Sequence, residues 1–149
     1  MQFTFTQAQL PQAAAWLAQQ LGNRKILALY GPMGAGKTTL LAQLCLYWGV
    51  NDAVGSPTYS LINEYTDSAG HTLLHMDWYR LHDEAEALEA GIEDALYSGA
   101  ICLIEWPEKF ENLLPEHTLR VSISLLPDGH RQLKVLDKAP IANGAGYMR

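Results

Sequence analysis

The sequence has few cysteines and no long hydrophobic run. Its two cysteines, Cys45 and Cys102, stand in apolar segments of a 149-residue chain, where buried, reduced thiols are expected rather than a disulfide or a metal pair. The apolar runs 26–30 and 101–104 are far too short to cross a bilayer, and the N-terminus lacks a basic flank followed by a long apolar stretch. These features predict a soluble, non-secreted chain in a reducing cytoplasm, with no membrane association.

Basic residues are also scarce. Ten Lys and Arg stand against 16 Asp and Glu, for a net charge of −6. A broad surface for binding nucleic acid usually needs clustered Lys and Arg, so the composition argues against one. The net charge does not exclude a local basic patch. Any connection with nucleic acid is therefore expected to run through a partner.

The length and the 48% hydrophobic content suit one compact domain with a single core. Apolar periodicity and breaker residues predict an α/β fold in which a central, mostly parallel sheet is flanked by helices and extended by antiparallel hairpins. We expect this domain over residues 1–138 and a poorly ordered tail over 139–149. The predicted elements are a helix over 6–21, a strand over 25–30, a helix from Lys37 to about Trp48, a hairpin of 59–65 with 71–76, two short helices around Gly91, a buried strand over 101–104, and a hairpin of 118–125 with 132–136.

The most informative motif lies between the first predicted strand and the second predicted helix. Residues 31–39 read Gly-Pro-Met-Gly-Ala-Gly-Lys-Thr-Thr, the pattern of a phosphate-binding loop. Gly31 and Gly36 allow the backbone N–H groups to wrap an anion, and the helix that follows points its positive end at the same phosphates. Lys37 is expected to reach the β- and γ-phosphates and the Thr38 hydroxyl to ligate Mg²⁺.

Two acidic residues follow apolar strands. Glu105 comes directly after 101–104, the arrangement of a Walker B element, and Asp77 closes the run 73–76. Ligand sites in open α/β sheets gather beyond the carboxyl ends of the parallel strands, so both acids are expected near the phosphate loop. From the local pattern alone, either residue could instead be a solvated acid at the end of a strand with no role in a site.

Three further features are less specific. Ser56-Pro57-Thr58 could sense a γ-phosphate from a mobile loop or simply form a turn before a strand. Trp106 could be a core aromatic residue or a lid over a metal site. Three histidines lie close together in the chain: His71, His75 and His82. No cysteine or carboxylate completes the spacing of a metal site with them, so we expect them at ordinary polar positions.

Four segments, in order and spacing, resemble the TsaE (YjeE) family of bacterial ATPases of tRNA threonylcarbamoyladenosine biosynthesis. The likeness covers residues 1–136, and the three segments after the phosphate loop make it specific. The fold that it implies is that of the P-loop NTPases. The segments are Gly31 to Thr39, Ser56-Pro57-Thr58-Tyr59, His75-Met76-Asp77-Trp78-Tyr79-Arg80 and Ile104-Glu105-Trp106-Pro107-Glu108.

The resemblance implies a Mg²⁺-dependent ATPase that works with the TsaB and TsaD proteins, which modify adenosine 37 of tRNA, with tRNA reached through that complex. By analogy, Thr38 and Glu105 would hold Mg²⁺, Lys37 would bind phosphate, and Asp77 and Thr58 would line the γ-phosphate side. Positions at the first helix and the last hairpin complete the implied nucleotide contacts, which are Gly31, Met33, Gly34, Ala35, Gly36, Lys37, Thr38, Thr39, Trp106, Thr6, Gln7 and Arg131.

Two other functions remain open. A small-molecule or nucleotide kinase would need a mobile lid that carries several arginines, whereas this chain has five, scattered from Arg24 to Arg149. A nucleotide-binding adaptor that never hydrolyses ATP would keep its function without the Glu105 carboxylate. Arg80, the one arginine inside a motif, could serve catalysis in cis or form a structural salt bridge.

Overall fold

The structure, a computed structural model, describes residues 1–52, 54 and 61–137. Short 3₁₀ helices lie at Gln7–Gln9, Trp78–Arg80 and Pro107–Leu113. Thr58 with its Ser-Pro neighbours, the start of the strand predicted from Tyr59, and the predicted tail fall outside the described residues. The strands and α-helices are, in chain order, β1 (Gln2–Phe5), α1 (Leu10–Leu21), β2 (Ile26–Tyr30), α2 (Lys37–Tyr47), β3 (Ile62–Thr66), β4 (Thr72–Asp77), α3 (Glu84–Glu89), α4 (Ile92–Leu96), β5 (Ile101–Glu105), β6 (Leu119–Leu125) and β7 (Arg131–Leu136).

The described strands form one seven-stranded sheet in the order β1-β7-β6-β2-β5-β4-β3. The neighbours β6, β2, β5 and β4 run parallel, whereas β3 pairs antiparallel with β4, and β7 pairs antiparallel with β6 and β1. The predicted α/β class, the parallel centre and both hairpins are confirmed. The carboxyl ends of β2, β4 and β5 therefore meet at one edge of the sheet.

Alternation along the central strands divides the core between two faces. On β2, Leu27 and Leu29 pack with α1 and α2 on one face, whereas Ile26, Ala28 and Tyr30 pack with α3 and α4 on the other. All five residues are fully buried, as expected of a parallel strand covered on both sides. This division sets α2, which begins in the glycine-rich motif, on the same face as α1.

The N-terminus differs from the prediction in two ways. β1 was not predicted, because a four-residue edge strand is defined by its pairing with β7 more than by its own pattern. The helix expected from Thr6 begins as a 3₁₀ turn, in which the Thr6 N–H donates to Gln9 Oε1 at 2.9 Å, and becomes α-helical only at Leu10. Pro11 then lies in the first α-helical turn. Its missing N–H costs little there, because the first N–H groups of a helix have no partner within the helix.

The two cysteines are free and buried on opposite faces of the sheet, which confirms that they do not form a disulfide. Burial raises the pKa of Cys45 to about 11 and that of Cys102 to about 12, so both thiols stay protonated and unreactive at neutral pH. Among the described helices, none combines the length and the apolar character that a membrane crossing requires.

Candidate functional site

The loop between β2 and α2 has a shape that only glycine permits at three positions. A Cβ at Gly31 would lie 2.7 Å from both Cγ2 and the carbonyl oxygen of Ile123. Gly34 and Gly36 have φ of +81° and +99°, in the left-handed region that side chains disfavour. Gly36 also precedes the first residue of α2, so the loop ends on a helix N-terminus. Such a loop turns backbone N–H groups toward an anion.

Lys37 begins α2 and is only 5% exposed. Its ammonium donates a hydrogen bond to the Gly31 carbonyl and lies 3.4 Å from the centroid of the Trp106 ring. Burial lowers the pKa of Lys37, and the nearby carboxylates of Glu108, Glu105 and Asp77 oppose that change, Glu108 most strongly. Among the residues that the structure describes, Lys37 forms no ion pair, so its charge is positioned to attract an anion.

Glu105, at the end of β5, joins the loop to the sheet. The Thr38 hydroxyl lies 2.8 Å from Oε1 and 3.0 Å from Oε2 of Glu105, and His75 Nε2 lies 2.7 Å from Oε2. Glu105 is 3% exposed and His75 is fully buried. A hydroxyl and a carboxylate in direct contact at the start of the loop helix are the hard oxygen ligands that Mg²⁺ prefers.

Asp77 ends β4 directly beside Glu105, its register partner on β5. Burial raises the pKa of Asp77 and the negative charge of Glu105 raises it further, whereas the Tyr79 N–H, which donates to Asp77 Oδ1 at 3.0 Å, lowers it. The positive charge of Arg80 also lowers the pKa of Asp77, but the two carboxylates repel each other at this sheet edge, and a further cation would offset that repulsion. This repulsion is a second feature that suits the edge to a divalent ion.

Trp106 follows Glu105 in an uncommon backbone conformation. Its φ of 58° and ψ of 46° lie in the left-handed region, which costs a bulky side chain free energy. The ring packs on the Lys37 ammonium and lies 4.9 Å, centroid to centroid, from the ring of Tyr79. The indole therefore lies against the loop and belongs to neither hydrophobic cluster of the core.

These side chains surround an open cavity of about 660 Å³. The structure brings ten of the residues predicted from the sequence to its wall, together with Tyr79 and Arg80; they are Met33, Gly34, Gly36, Lys37, Thr38, Thr39, Asp77, Glu105, Trp106 and Arg131. The two other predicted residues of the loop, Gly31 and Ala35, are buried. Thr58 falls outside the described residues, so its place beside the cavity stays a prediction.

A smaller hollow of about 210 Å³ shares Gly36, Thr39 and Arg131 with this cavity and is also lined by Gln7. Arg131 Nε donates to the Ala35 carbonyl at 2.9 Å, and its Nη1 donates to Gln7 Oε1 at 3.1 Å. The predicted positions Gln7 and Arg131 therefore meet beside the loop. The Thr6 hydroxyl instead bonds Gln9 Oε1 at 3.3 Å, within the N-terminal turn.

The sequence interpretation missed three contributors to this region. His75 was expected at an ordinary polar position, yet it is buried against Glu105. Both carboxylate oxygens of Glu108 are buried without a hydrogen-bond partner in the described part of the chain, and burial raises its pKa. The Tyr79 ring packs against the Trp106 ring at an interplanar angle of 52°. Of these, only His75 had a local signal, because residues 75 and 77 of a strand lie on the same face.

The comparisons with known proteins agree with this geometry. The family model described as "Threonylcarbamoyl adenosine biosynthesis protein TsaE" matches residues 4–133. A relative of that name from Treponema pallidum is 36% identical over 77% of this chain and 84% of its own, and one from Haemophilus influenzae is 38% identical over 83% and 79%. The crystal structure of YdiB from Bacillus subtilis matches with a TM-score of 0.65 at 24% identity, covering 91% of this chain and 83% of its own, and it supports a P-loop fold. The chain belongs to the TsaE family.

Proposed function

We propose that this protein is a Mg²⁺-dependent ATPase whose hydrolysis serves the threonylcarbamoylation of adenosine 37 in tRNA, in partnership with TsaB and TsaD. Membership of the TsaE family supports the tRNA-modification role. The observation that carries the ATPase proposal is the direct contact between Thr38 and Glu105 beside the buried ammonium of Lys37. That combination is what a triphosphate with its metal ion requires.

The residues present fit Mg–ATP. The glycines at three positions of the loop leave room for phosphate oxygens, and Lys37 supplies an ammonium that forms no ion pair with the described residues. Thr38 and Glu105 would hold Mg²⁺, and Asp77, with Thr58 as a prediction, would line the γ-phosphate side. The other nucleotide contacts that we propose are Gly31, Met33, Gly34, Ala35, Gly36, Thr39, Trp106, Thr6, Gln7 and Arg131.

The chain's own residues supply position and charge. When bound, Mg²⁺ neutralises charge on the β- and γ-phosphates. Lys37, held between the Gly31 carbonyl and the Trp106 ring, offsets the charge that develops on the transferred phosphoryl group. Trp106 also shields that ammonium from water, which strengthens its attraction for phosphate. Asp77, the register partner of Glu105 at the end of β4, would orient the attacking water molecule.

We propose that the protein acts in the cytoplasm and reaches tRNA through its partners. The net charge of −6 is unfavourable for broad contact with a polyanion. Slow turnover of the isolated chain is expected if TsaB and TsaD complete the site, as in other switch-type NTPases.

The test is Mg²⁺-dependent ATP hydrolysis by the wild type and Lys37→Ala, alone and with purified TsaB, TsaD and tRNA. Weak activity that rises with the partners and disappears in the variant is the expected result. A rate of ATP hydrolysis that does not change when TsaB, TsaD and tRNA are added would contradict the partnership. Phosphate transfer to a nucleoside or sugar would indicate a kinase, and full threonylcarbamoylation with Glu105→Ala would indicate a non-hydrolysing adaptor.

A further inference from the structure

Position 75 interrupts the apolar pattern of the sheet face that carries the site. Alternate residues of β4 and β5 share that face, which also packs against α2. Leu73 and Leu103, the neighbours of His75 on this face, are fully buried, and so is His75 itself. A leucine at position 75 would fill this space with no polar atom, whereas an imidazole loses its hydration. The described packing therefore gives no hydrophobic reason for a histidine here.

The imidazole has one hydrogen-bond partner among the described residues. Nε2 lies 2.7 Å from Glu105 Oε2, while Nδ1 is buried without a partner. Because a carboxylate accepts hydrogen bonds, Nε2 is the nitrogen that carries the proton, and in a neutral imidazole Nδ1 is then a bare acceptor. His75 thus directs its Nε2–H at Glu105.

The two groups that hold Glu105 do different things. The Thr38 hydroxyl has a single proton and lies at nearly equal distances, 2.8 and 3.0 Å, from the two carboxylate oxygens, so it does not select between them. His75 bonds only Oε2. Rotation of a carboxylate about its last bond is otherwise loosely restricted. The imidazole is therefore the group that fixes which oxygen of Glu105 is held toward the core.

We propose that His75 is a positioning residue that sets the orientation of the Glu105 carboxylate for Mg²⁺. The proposal rests on the proposed function, because Glu105 must be a metal ligand or bind the metal's water. Glu105 lines the cavity, whereas His75 is fully buried behind it and acts through it. A carboxylate that is already oriented loses less freedom when the metal ion binds. Loss of such a supporting hydrogen bond typically weakens metal affinity or activity by about 10- to 100-fold.

Two variants separate positioning from core filling. His75→Leu keeps a side chain of similar size and removes the donor, whereas His75→Gln keeps an N–H donor at a comparable distance from the backbone. ATP binding is measured by calorimetry over a series of Mg²⁺ concentrations and again in EDTA. We expect His75→Leu to require about 10-fold more Mg²⁺ for half-maximal enhancement of ATP binding. The affinity in EDTA should change far less, and His75→Gln should recover most of the Mg²⁺ response.

The control for a histidine-to-leucine change is His71→Leu, because the His71 side chain is 68% exposed and hydrogen-bonds Asp67, away from the site. Thermal unfolding checks that each variant is folded. A folded His75→Leu protein with the wild-type Mg²⁺ response would overturn the proposal. A folded His75→Gln protein that is as impaired as His75→Leu would also overturn it.

A second readout needs no nucleotide. The ¹⁵N shifts of the His75 ring in the free wild-type protein should show a proton on Nε2, and an Nε2 without a proton would overturn the proposal. If the wild type shows no Mg²⁺-dependent ATP binding at all, the proposed function fails and the positioning role falls with it. If the wild type responds to Mg²⁺ and His75→Leu responds equally, only the positioning role fails.

Discussion

The two ends of the parallel strands each carry a cavity, but they differ in how they hold charge. At the amino ends, a cavity of about 440 Å³ is lined by Lys25, Glu64 and His71, all exposed. At the carboxyl ends, the cavity of about 660 Å³ is lined by Lys37 and Glu105, which are 5% and 3% exposed. The two cavities differ little in volume. They differ clearly in whether the charged side chains that line them are buried.

The difference follows from the direction of the strands. Each parallel strand delivers its following residue to the carboxyl edge, so the glycine loop after β2, Asp77 on β4 and Glu105 on β5 meet there. Exposed charges at the other edge cost little and contribute little. Buried charges are retained only where their partners or ligands offset the loss of hydration, and they are therefore the better indicator of a functional site.

Removal of the buried cation should give the largest effect. Lys37→Ala takes away the ammonium that we propose for phosphate binding, so ATP hydrolysis should fall at least about 100-fold. The matched change at the other edge, Lys25→Ala, should leave the rate within about twofold of wild type, since an exposed lysine there contributes little. Steady-state hydrolysis with saturating Mg²⁺ measures both. Equal losses of hydrolysis rate in the two variants would contradict the claim that only the carboxyl edge carries the site.

Neutralisation of the buried acid should come next. Glu105→Gln keeps the oxygen that accepts the Thr38 hydroxyl but removes the charge, so we expect a roughly 30-fold fall in hydrolysis together with a higher Mg²⁺ requirement. Glu64→Gln is the control at the amino edge. Activity against Mg²⁺ concentration distinguishes them. A Glu105→Gln enzyme with an unchanged Mg²⁺ requirement would rule out metal binding by this carboxylate.

Backbone strain offers a third contrast. The turn before β5 places Gly99 in the left-handed region, with φ of +89°, whereas the turn after β5 places Trp106 there. Trp106→Gly and Trp106→Ala both remove the ring from Lys37, but only glycine relieves the strain. Urea unfolding should show the glycine variant to be more stable than the alanine variant by about 1 kcal/mol. An alanine variant of equal or greater stability would show that the position is unstrained.

The smallest expected effect concerns the pH dependence of stability. The pKa of Asp77 is raised in the fold, so its ionised form destabilises the native state as the pH rises through that pKa. Asp77→Asn should therefore gain about 0.5 kcal/mol near pH 7, a value kept small because the side chain is partly solvated. The gain should vanish below about pH 3, where Asp77 of the wild type is protonated in both the folded and the unfolded state. Unfolding midpoints measured against pH test this, and a loss of stability at pH 7 would contradict it.

Much of the fold could be predicted because its information is local. The apolar runs of β2 and β5, the turn between β6 and β7, and the break at Gly91 between α3 and α4 each depend on a few neighbouring residues, and all are confirmed. β1 could not be found in this way, because pairing with β7 makes it a strand.

In the candidate site, too, the features that depend on local sequence could be predicted and those that depend on distant residues could not. The glycine loop and the two strand-end acids could be placed at one edge from the rule for parallel strands, and the structure brings them together. The bond of His75 to Glu105 and the contact of Trp106 with Lys37 depend on strand register and on a left-handed backbone, which no local pattern specifies. The roles of all these residues remain predictions.

The most direct measurement is amide chemical-shift mapping of the ¹⁵N-labelled protein during titration with Mg–ATP. The account predicts the largest shifts in residues 31–39 and around Asp77, Glu105 and Trp106, at the carboxyl edge. Shifts concentrated at Lys25, Glu64 and residues 98–101, or no saturable shifts at all, would contradict it.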